Sequence, residues 1–310
     1  MKKHILVTGC SGFIGSHVVE TLLKQGKDVI GIDRDRNIWA KSNKSRKGFN
    51  FFKVDIQTPT MHLGRVFQNY KISKVIHLAA ETGVRRSILE PQKYFQSNVL
   101  GTINILNFIK KYKIKNVVFA SSSSVYGNNP NYPWSEKDEL NPISPYALTK
   151  KTGEELCKMY SDLYKLNITC LRFFTVYGPR GRVDMAPYKF IDWTYRKIPL
   201  TLYGDGTSKR DYTYITDIVK GIIKASNRPS KFEIINLGNS KPVVLNTFIS
   251  TISKYLKIKP KIDQYPMQLG DVDTTYADIK KAKRLLNWQP KVPFKKGIKK
   301  MIDWYKYEEE

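Results

Sequence analysis

Three stretches of the 310-residue chain combine residue types and spacings that can do chemistry. In TGCSGFIG, Gly9, Gly12 and Gly15 recur every third position directly after an apolar run. In SPYALTK, Tyr146 and Lys150 stand four apart, hence on one face if the segment is helical. In RFFTVYGPRGR, Arg172 to Arg182, a hydrophobic run empties into a Gly-Pro turn carrying two further arginines, a group suited to hold an anion.

Each pattern implies a definite chemistry. Glycines at that spacing let the chain turn tightly and bring backbone N–H groups up to a pyrophosphate at a helix N-terminus. Asp33, at the tip of the second apolar run, can accept hydrogen bonds from an adenosine ribose and repel a 2′-phosphate, which favours NAD over NADP. Arg34 and Arg36 beside it work against that preference. Asp55, after the third run, is placed either to reach the adenine amine or to close a turn. A free phenol, with a pKa of about 10, is a poor base near neutrality. An ammonium such as that of Lys150 favours its phenolate. Spacing alone does not single out Tyr146, because Tyr70/Lys74, Tyr255/Lys259 and Tyr276/Lys280 share it. Context does: Tyr146 opens the helix-length segment that follows a strand ending in ASSSSVYG.

The elements that must position these groups follow from periodicity. Runs 4–8, 28–33, 51–56, 74–80, 116–122 and 168–174 are apolar and rich in β-branched residues, as strands covered on both faces must be. Helix-length segments, including 92–112 and 144–166, lie between them. The alternation predicts an α/β fold, a doubly wound Rossmann parallel sheet. After about residue 180 short strands (201–203, 233–238) mix with helices near 188–197, 217–227, 245–256 and 294–306, which predicts a smaller mixed α/β C-terminal lobe and a cleft. Residues 1–180 are expected to form one domain and 181–310 the other, with a soft boundary that segments may cross.

Composition narrows the class. Hydrophobic residues at 41% and charged residues at 26% are ordinary for a globular protein. No apolar run approaches the ~18 residues of a membrane span. MKKHILVTG passes straight into a strand-like run without a signal-peptide core, so a cytoplasmic protein with no membrane partner is expected. Cys10, Cys157 and Cys170 are far apart, and the four histidines form no metal pair, so buried reduced thiols and no metal are expected. The formal charge of +26 suits nucleic acid, or a surface of solvated lysines serving an anionic substrate. The lysines are scattered without a basic-aromatic stripe, which favours the second reading and no nucleic-acid partner.

TGCSGFIG, SSSSVYG, YALTK and YGDGTSKRDYTYITDI together resemble the extended short-chain dehydrogenase/reductase family, in its NAD-dependent nucleotide-sugar epimerase/dehydratase branch, over essentially the whole chain. The resemblance implies an NAD-binding Rossmann domain, a nucleotide-sugar-binding lobe, and Ser122, Tyr146 and Lys150 as the catalytic set. It implies cofactor contacts at Gly9, Gly12, Phe13, Ile14, Gly15, Asp33, Asp55, Ile56, Leu78, Ala79, Ala80 and Asn98, besides Tyr146 and Lys150. Dehydratases of this branch carry an Asp-Glu pair before the Val-Tyr of SSSSVYG, and decarboxylases a Glu; this chain has Ser123 and Ser124. The expected outcome is therefore 4-epimerisation of a UDP-sugar through a 4-keto intermediate.

RFFTVYGPRGR with VDMAPYKF, ETGVRRS and MQLGDV is similar to the UDP-glucuronate 4-epimerases. That likeness implies that Thr175 and Arg182 grip the sugar carboxylate beside Ser123 and Ser124, with Arg85 and Asp271 among the substrate contacts. Arg210 is the implied pyrophosphate partner and Tyr203 lines the uracil, while Gln268 replaces a second phosphate arginine. UDP-glucose or UDP-N-acetylglucosamine is the alternative substrate, and an NAD-sensing or nucleic-acid-binding protein the non-enzymatic alternative. In this family the helices at 92–112 and 144–166 pair with their copies, and apolar positions such as Phe95, Val99, Ile103 and Leu106 suit a homodimer.

Overall fold

The computed structural model describes residues 2–35, 47–58, 61–267 and 272–309. Two compact units emerge, and they interleave along the chain. The first comprises Met1–Gly127, Glu139–Arg172 and Val219–Ile235; the second Asn128–Asp138, Phe173–Ile218 and Asn236–Glu310.

In the first unit, β1 (Lys3–Thr8), β2 (Asp28–Asp33), β3 (Phe49–Lys53), β4 (Lys71–His77), β5 (Asn116–Ser122) and β6 (Asn167–Phe173) make a sheet with a seventh strand, Phe232–Leu237. The spatial order is Phe232–Leu237, then β6-β5-β4-β1-β2-β3. β1 pairs in parallel with both β2 and β4, β2 with β3, and β4 with β5. The order reverses beside β1, and in doubly wound sheets ligands bind at such a switch point, outside the strand C-termini. The expected fold class is the one observed.

β2 and β5 run over the anticipated residues, since each is an uninterrupted buried run. The third strand is Phe49–Lys53 rather than 51–56; it lies at the sheet edge and is only partly covered. The fourth ends at His77 rather than 80, because the N–H groups of Leu78 and Ala79 turn onto the Thr8 hydroxyl. The run 233–238, read as part of the C-terminal lobe, joins the main sheet instead, next to β6.

Helices α1 (Phe13–Lys24), α2 (Met61–Asn69), α3 (Val84–Leu89), α4 (Pro91–Tyr94), α5 (Gly101–Lys111) and α6 (Pro145–Tyr164) flank the sheet. The segment expected as one helix over 92–112 is broken by a π-helical turn, Phe95–Leu100, of the kind frequent at functional sites. Leu106, read as spare apolar surface, lies in the core at 2% exposure, beside Ile105 and Ile109. α6 lies close on β5: a Cβ at Gly153 would come within 2.4 Å of the Phe119 ring.

The second unit is built from helices α7 (Ala186–Tyr195), α9 (Leu245–Leu256), α10 (Lys280–Leu286) and α11 (Phe294–Glu309) with small two-stranded sheets. α8 (Ile215–Asn227) has residues in both units. Tyr177, Tyr212, Phe248 and Phe294 form an aromatic core with centroids 5.0–6.2 Å apart. Buried Asp211 ties the loops together, accepting N–H bonds from Asn239, Ser240 and Ala277. Among the described residues no helix is long and apolar enough to cross a membrane, and no cluster of three or more His, Cys, Asp or Glu could hold a metal. All three cysteines are buried and free.

Candidate active site

The glycine turn leaves β1 at Gly9, whose φ of +68° suits glycine. A Cβ at Gly9 would lie 2.7 Å from the Ala79 nitrogen, and one at Gly15 2.0 Å from the Gly9 carbonyl oxygen. Gly12 starts α1 with no side-chain cap, so the first-turn N–H groups from Phe13 and Ile14 onward are left for a ligand. At the end of β2, Asp33 Oδ2 accepts the Ser11 N–H at 2.9 Å; burial is the largest influence on its carboxyl and raises the pKa. A side-chain-free cradle at a helix N-terminus, with a carboxylate at the tip of the second strand, fits a dinucleotide. Arg34 is ion-paired with Glu81. Asp55 Oδ1 accepts the Gln57 N–H at 2.9 Å, closing a turn. Ile56 is buried against α5, where a Cβ at Gly101 would meet its Cδ1 at 2.8 Å.

Beneath the cradle runs a buried chain of hydrogen bonds that sequence reasoning did not find. The Thr8 hydroxyl accepts the N–H groups of Leu78 and Ala79, each at 3.1 Å, and lies 2.6 Å from His77 Nδ1. Thr102 donates its hydroxyl proton to the Asn98 carbonyl at 2.6 Å, so at 3.1 Å it accepts from His77 Nε2. That assigns the Nε2–H tautomer and makes Thr8 the donor to Nδ1. The ring is held neutral: burial, and secondarily the Lys150 charge, push its pKa down to about 3. Asn98, in the π turn, accepts the Glu81 N–H at 2.7 Å and donates to the Glu81 carbonyl and to Thr149, each at 3.0 Å. Ala80 lies half-buried in the segment between His77 and Glu81.

Ser122 is the last residue of β5, and Tyr146 and Lys150 occupy the first turns of α6. That helix starts where it does because Ser144 caps it, accepting the Ala147 N–H at 3.2 Å, and Pro145 fits the first helical position. Lys150 is 4% exposed and its Nζ donates to the Ala120 carbonyl at 2.8 Å, two residues before Ser122. Burial pushes its pKa down to about 8, against the opposing charges of Cys157 and Glu154. Its Nζ lies 5.9 Å from the Tyr146 ring centroid, and that ring meets Tyr94 edge-on at 6.2 Å. The Ser122 hydroxyl accepts the Ser124 N–H at 3.2 Å and donates to Ser124 Oγ at 3.1 Å, starting the tight turn Ser123–Tyr126.

One turn beyond Lys150, Glu154 is 3% exposed and takes a fork from Arg172, which is 1% exposed: Nε to Oε1 at 2.9 Å and Nη2 to Oε2 at 2.7 Å. Ser121 Oγ donates to the same carboxylate at 2.5 Å, and Arg172 Nη1 reaches the Tyr126 hydroxyl at 2.9 Å. The arginine that begins RFFTVYGPRGR therefore holds an internal anion. The pair ties α6 to β6 and to the end of β5, next to Ser122. An arginine inside the apolar run ITCLRFF was the sequence signal for it, since a buried guanidinium needs a carboxylate.

Arg85 lies exposed on α3. In the second unit, Thr175 starts a short strand whose N–H donates to the Asp211 carbonyl at 3.1 Å. Arg182 forks onto Asp184, at 3.0 and 2.5 Å. Arg210 Nη1 donates to the carbonyls of Lys209 and Asp273, at 3.0 and 3.1 Å. Tyr203 lines an open groove with the Gly204–Gly206 turn, Gln264 and Tyr265, and the two tyrosine rings lie 6.1 Å apart. Gln268 and Asp271 lie outside the described residues.

Known proteins share this architecture and sequence. A UDP-glucuronate 4-epimerase of Thermodesulfobacterium geofontis is 44% identical, over 98% of this chain and 96% of that protein. The structure of a Bacillus cereus UDP-glucuronic acid 4-epimerase in complex with UDP-glucuronic acid and NAD superposes with a TM-score of 0.91 at 36% identity, covering 98% of this chain and 99% of that one. A Thermotoga maritima UDP-glucose 4-epimerase with UDP-glucose gives 0.93 at 30% identity, covering 99% and 100%. Matched to it over residues 6–301, the chain belongs to the GDP-mannose 4,6 dehydratase family, within the extended short-chain dehydrogenases/reductases.

Proposed function

We propose that the chain is an NAD-dependent UDP-sugar 4-epimerase that interconverts UDP-glucuronate and UDP-galacturonate through a 4-keto sugar. One observation carries the reading: Tyr146 and Lys150 stand on adjacent turns of α6, Lys150 bonds the Ala120 carbonyl of the strand that ends at Ser122, and the following turn has Ser123 and Ser124 where dehydratases of this branch carry carboxylates. NAD, when bound, would supply the hydride acceptor and donor, and return of the hydride to the other face of the keto sugar inverts C4. Tyr146 takes the proton from the sugar 4-hydroxyl and later returns it. The Lys150 ammonium, fixed by the Ala120 carbonyl, favours the phenolate. Ser122 holds the 4-oxygen. Asp33 takes the ribose hydroxyls, and the first-turn N–H groups of α1 take the pyrophosphate.

Arg182 and Thr175 hold the sugar carboxylate, which displaces Asp184 from the guanidinium. A 4-keto glucuronate is a β-keto acid and loses CO2 when its C5–carboxylate bond aligns with the carbonyl π system. A forked guanidinium keeps the bond out of alignment. Arg210 meets the diphosphate and Tyr203 the uracil. Residues 1–180 serve mainly the cofactor and 181–310 mainly the sugar nucleotide, with segments crossing the boundary: Thr175 reaches the sugar from the first range, and 219–235 belong with the main sheet. The protein works in the cytoplasm as a homodimer: Phe95, Leu100, Leu148 and Leu163 leave large apolar side chains exposed on the two segments, 92–112 and 144–166, that would pair. Light scattering should give twice the chain mass. Protein denatured after purification should release NAD(H), and NADP(H) as its only nucleotide would overturn the assignment.

A further inference from the structure

Resting on the reading of the glycine cradle as an NAD site, we infer that Glu81 sets cofactor choice jointly with Asp33, by withholding Arg34 from the ribose 2′ position. Arg34 directly follows the carboxylate at the tip of β2, where an arginine can accommodate the 2′-phosphate of NADP. Here its Nη1 is paired to Glu81 Oε1, and its Nε lies 3.5 Å from Asp35 Oδ2.

The two partners differ in freedom. Arg34's side chain is 42% exposed and that of Glu81 only 8%. Asn98 clamps the Glu81 backbone on both sides, through its N–H at 2.7 Å and its carbonyl at 3.0 Å. The carboxylate is thus fixed from the π turn, and the guanidinium comes to it. A 2′-phosphate would have to strip Arg34 from Glu81, leaving that carboxylate with Lys93 at 3.9 Å as its nearby cation, while approaching Asp33. Asp33 repels the phosphate, and Glu81 removes the cation that would offset the repulsion. Loss of Asp33 alone therefore leaves part of the selectivity in place.

The test is exchange on the purified holoprotein. The protein is incubated with excess NADP+, washed, denatured, and its released NADP-to-NAD ratio measured by chromatography. Wild type should release NAD almost alone. Glu81→Gln should raise the ratio by about tenfold, the scale of one charge-assisted contact set free at a half-exposed site. Adding Arg34→Ala to that variant should return the ratio to the wild-type value. Glu81→Ser should give the same rise, and stands in if the glutamine variant does not fold. An unchanged ratio in the Glu81 variants, or a rise that survives loss of Arg34, overturns the inference. Wild type that holds neither nucleotide would instead overturn the reading of the cradle on which it rests.

Discussion

Replacing Arg172 with methionine keeps an unbranched stem, a shorter one, and removes the guanidinium that faces Glu154. The carboxylate is then left 3% exposed, with Ser121 Oγ–H at 2.5 Å as the donor still described beside it. Stranding one member of a buried pair costs about 3–5 kcal/mol. In a unit of this size that corresponds to a fall in Tm of roughly 6–20 °C. A second variant, Arg172→Met with Glu154→Leu, removes both charges and should recover most of the loss, because neither ion then has to be desolvated. The pair also bears on chemistry. Glu154 is among the groups that raise the Lys150 pKa, so an uncompensated carboxylate one turn away should move that pKa above its value of about 8. Thermal melts of the wild type and both variants, with pH–kcat profiles, are the assay. A single variant that melts within a degree of wild type, or a double variant no better than the single, would refute the view that Arg172 and Glu154 hold α6 as a compensated pair.

Tyr146→Phe should lower kcat by about 10²–10⁴-fold, the range for a general acid–base residue, while Tyr255→Phe on α9 should leave it unchanged. Since the Lys150 pKa is depressed to about 8 and the ammonium is the working form, kcat should fall as pH rises through about 8; a profile flat to high pH would contradict that role. The same residue should make the fold relatively more stable between about pH 8 and 10.5, where the unfolded chain binds the proton and the native state does not. Arg182→Ala should penalise UDP-glucuronate by about 2–4 kcal/mol, with far less effect on UDP-glucose, and should leak CO2 to a pentose product. Equal losses on both sugars with no pentose would return Arg182 to a turn residue paired with Asp184.

Much of the frame was legible because it rests on local signals. Runs 28–33 and 116–122 are continuous and β-branched, and they became strands over those residues. Tyr146 is expected to open the helix after the serine-rich strand end, and it lies in the first turn of α6. Long-range partners were not legible. Arg172 and Glu154 lie 18 residues apart, and only the packing of α6 on the sheet brings the fork together. The basic run reads as holding a substrate anion, whereas its first arginine holds Glu154 from within the chain. The π turn at Phe95–Leu100 has no signature in composition; it accommodates Asn98, whose amide bonds to Glu81 and Thr149 lie across the fold. Arg34 looked available for a 2′-phosphate because nothing near it in sequence reveals Glu81, 47 residues on.

The central claim is tested most directly by giving the purified protein UDP-glucuronate without added cofactor and following the C4 proton by NMR. A stable mixture of UDP-glucuronate and UDP-galacturonate, reached from either sugar, is the expected result. An unchanged spectrum, a dehydrated or decarboxylated product from wild-type protein, or faster turnover of UDP-glucose would contradict it.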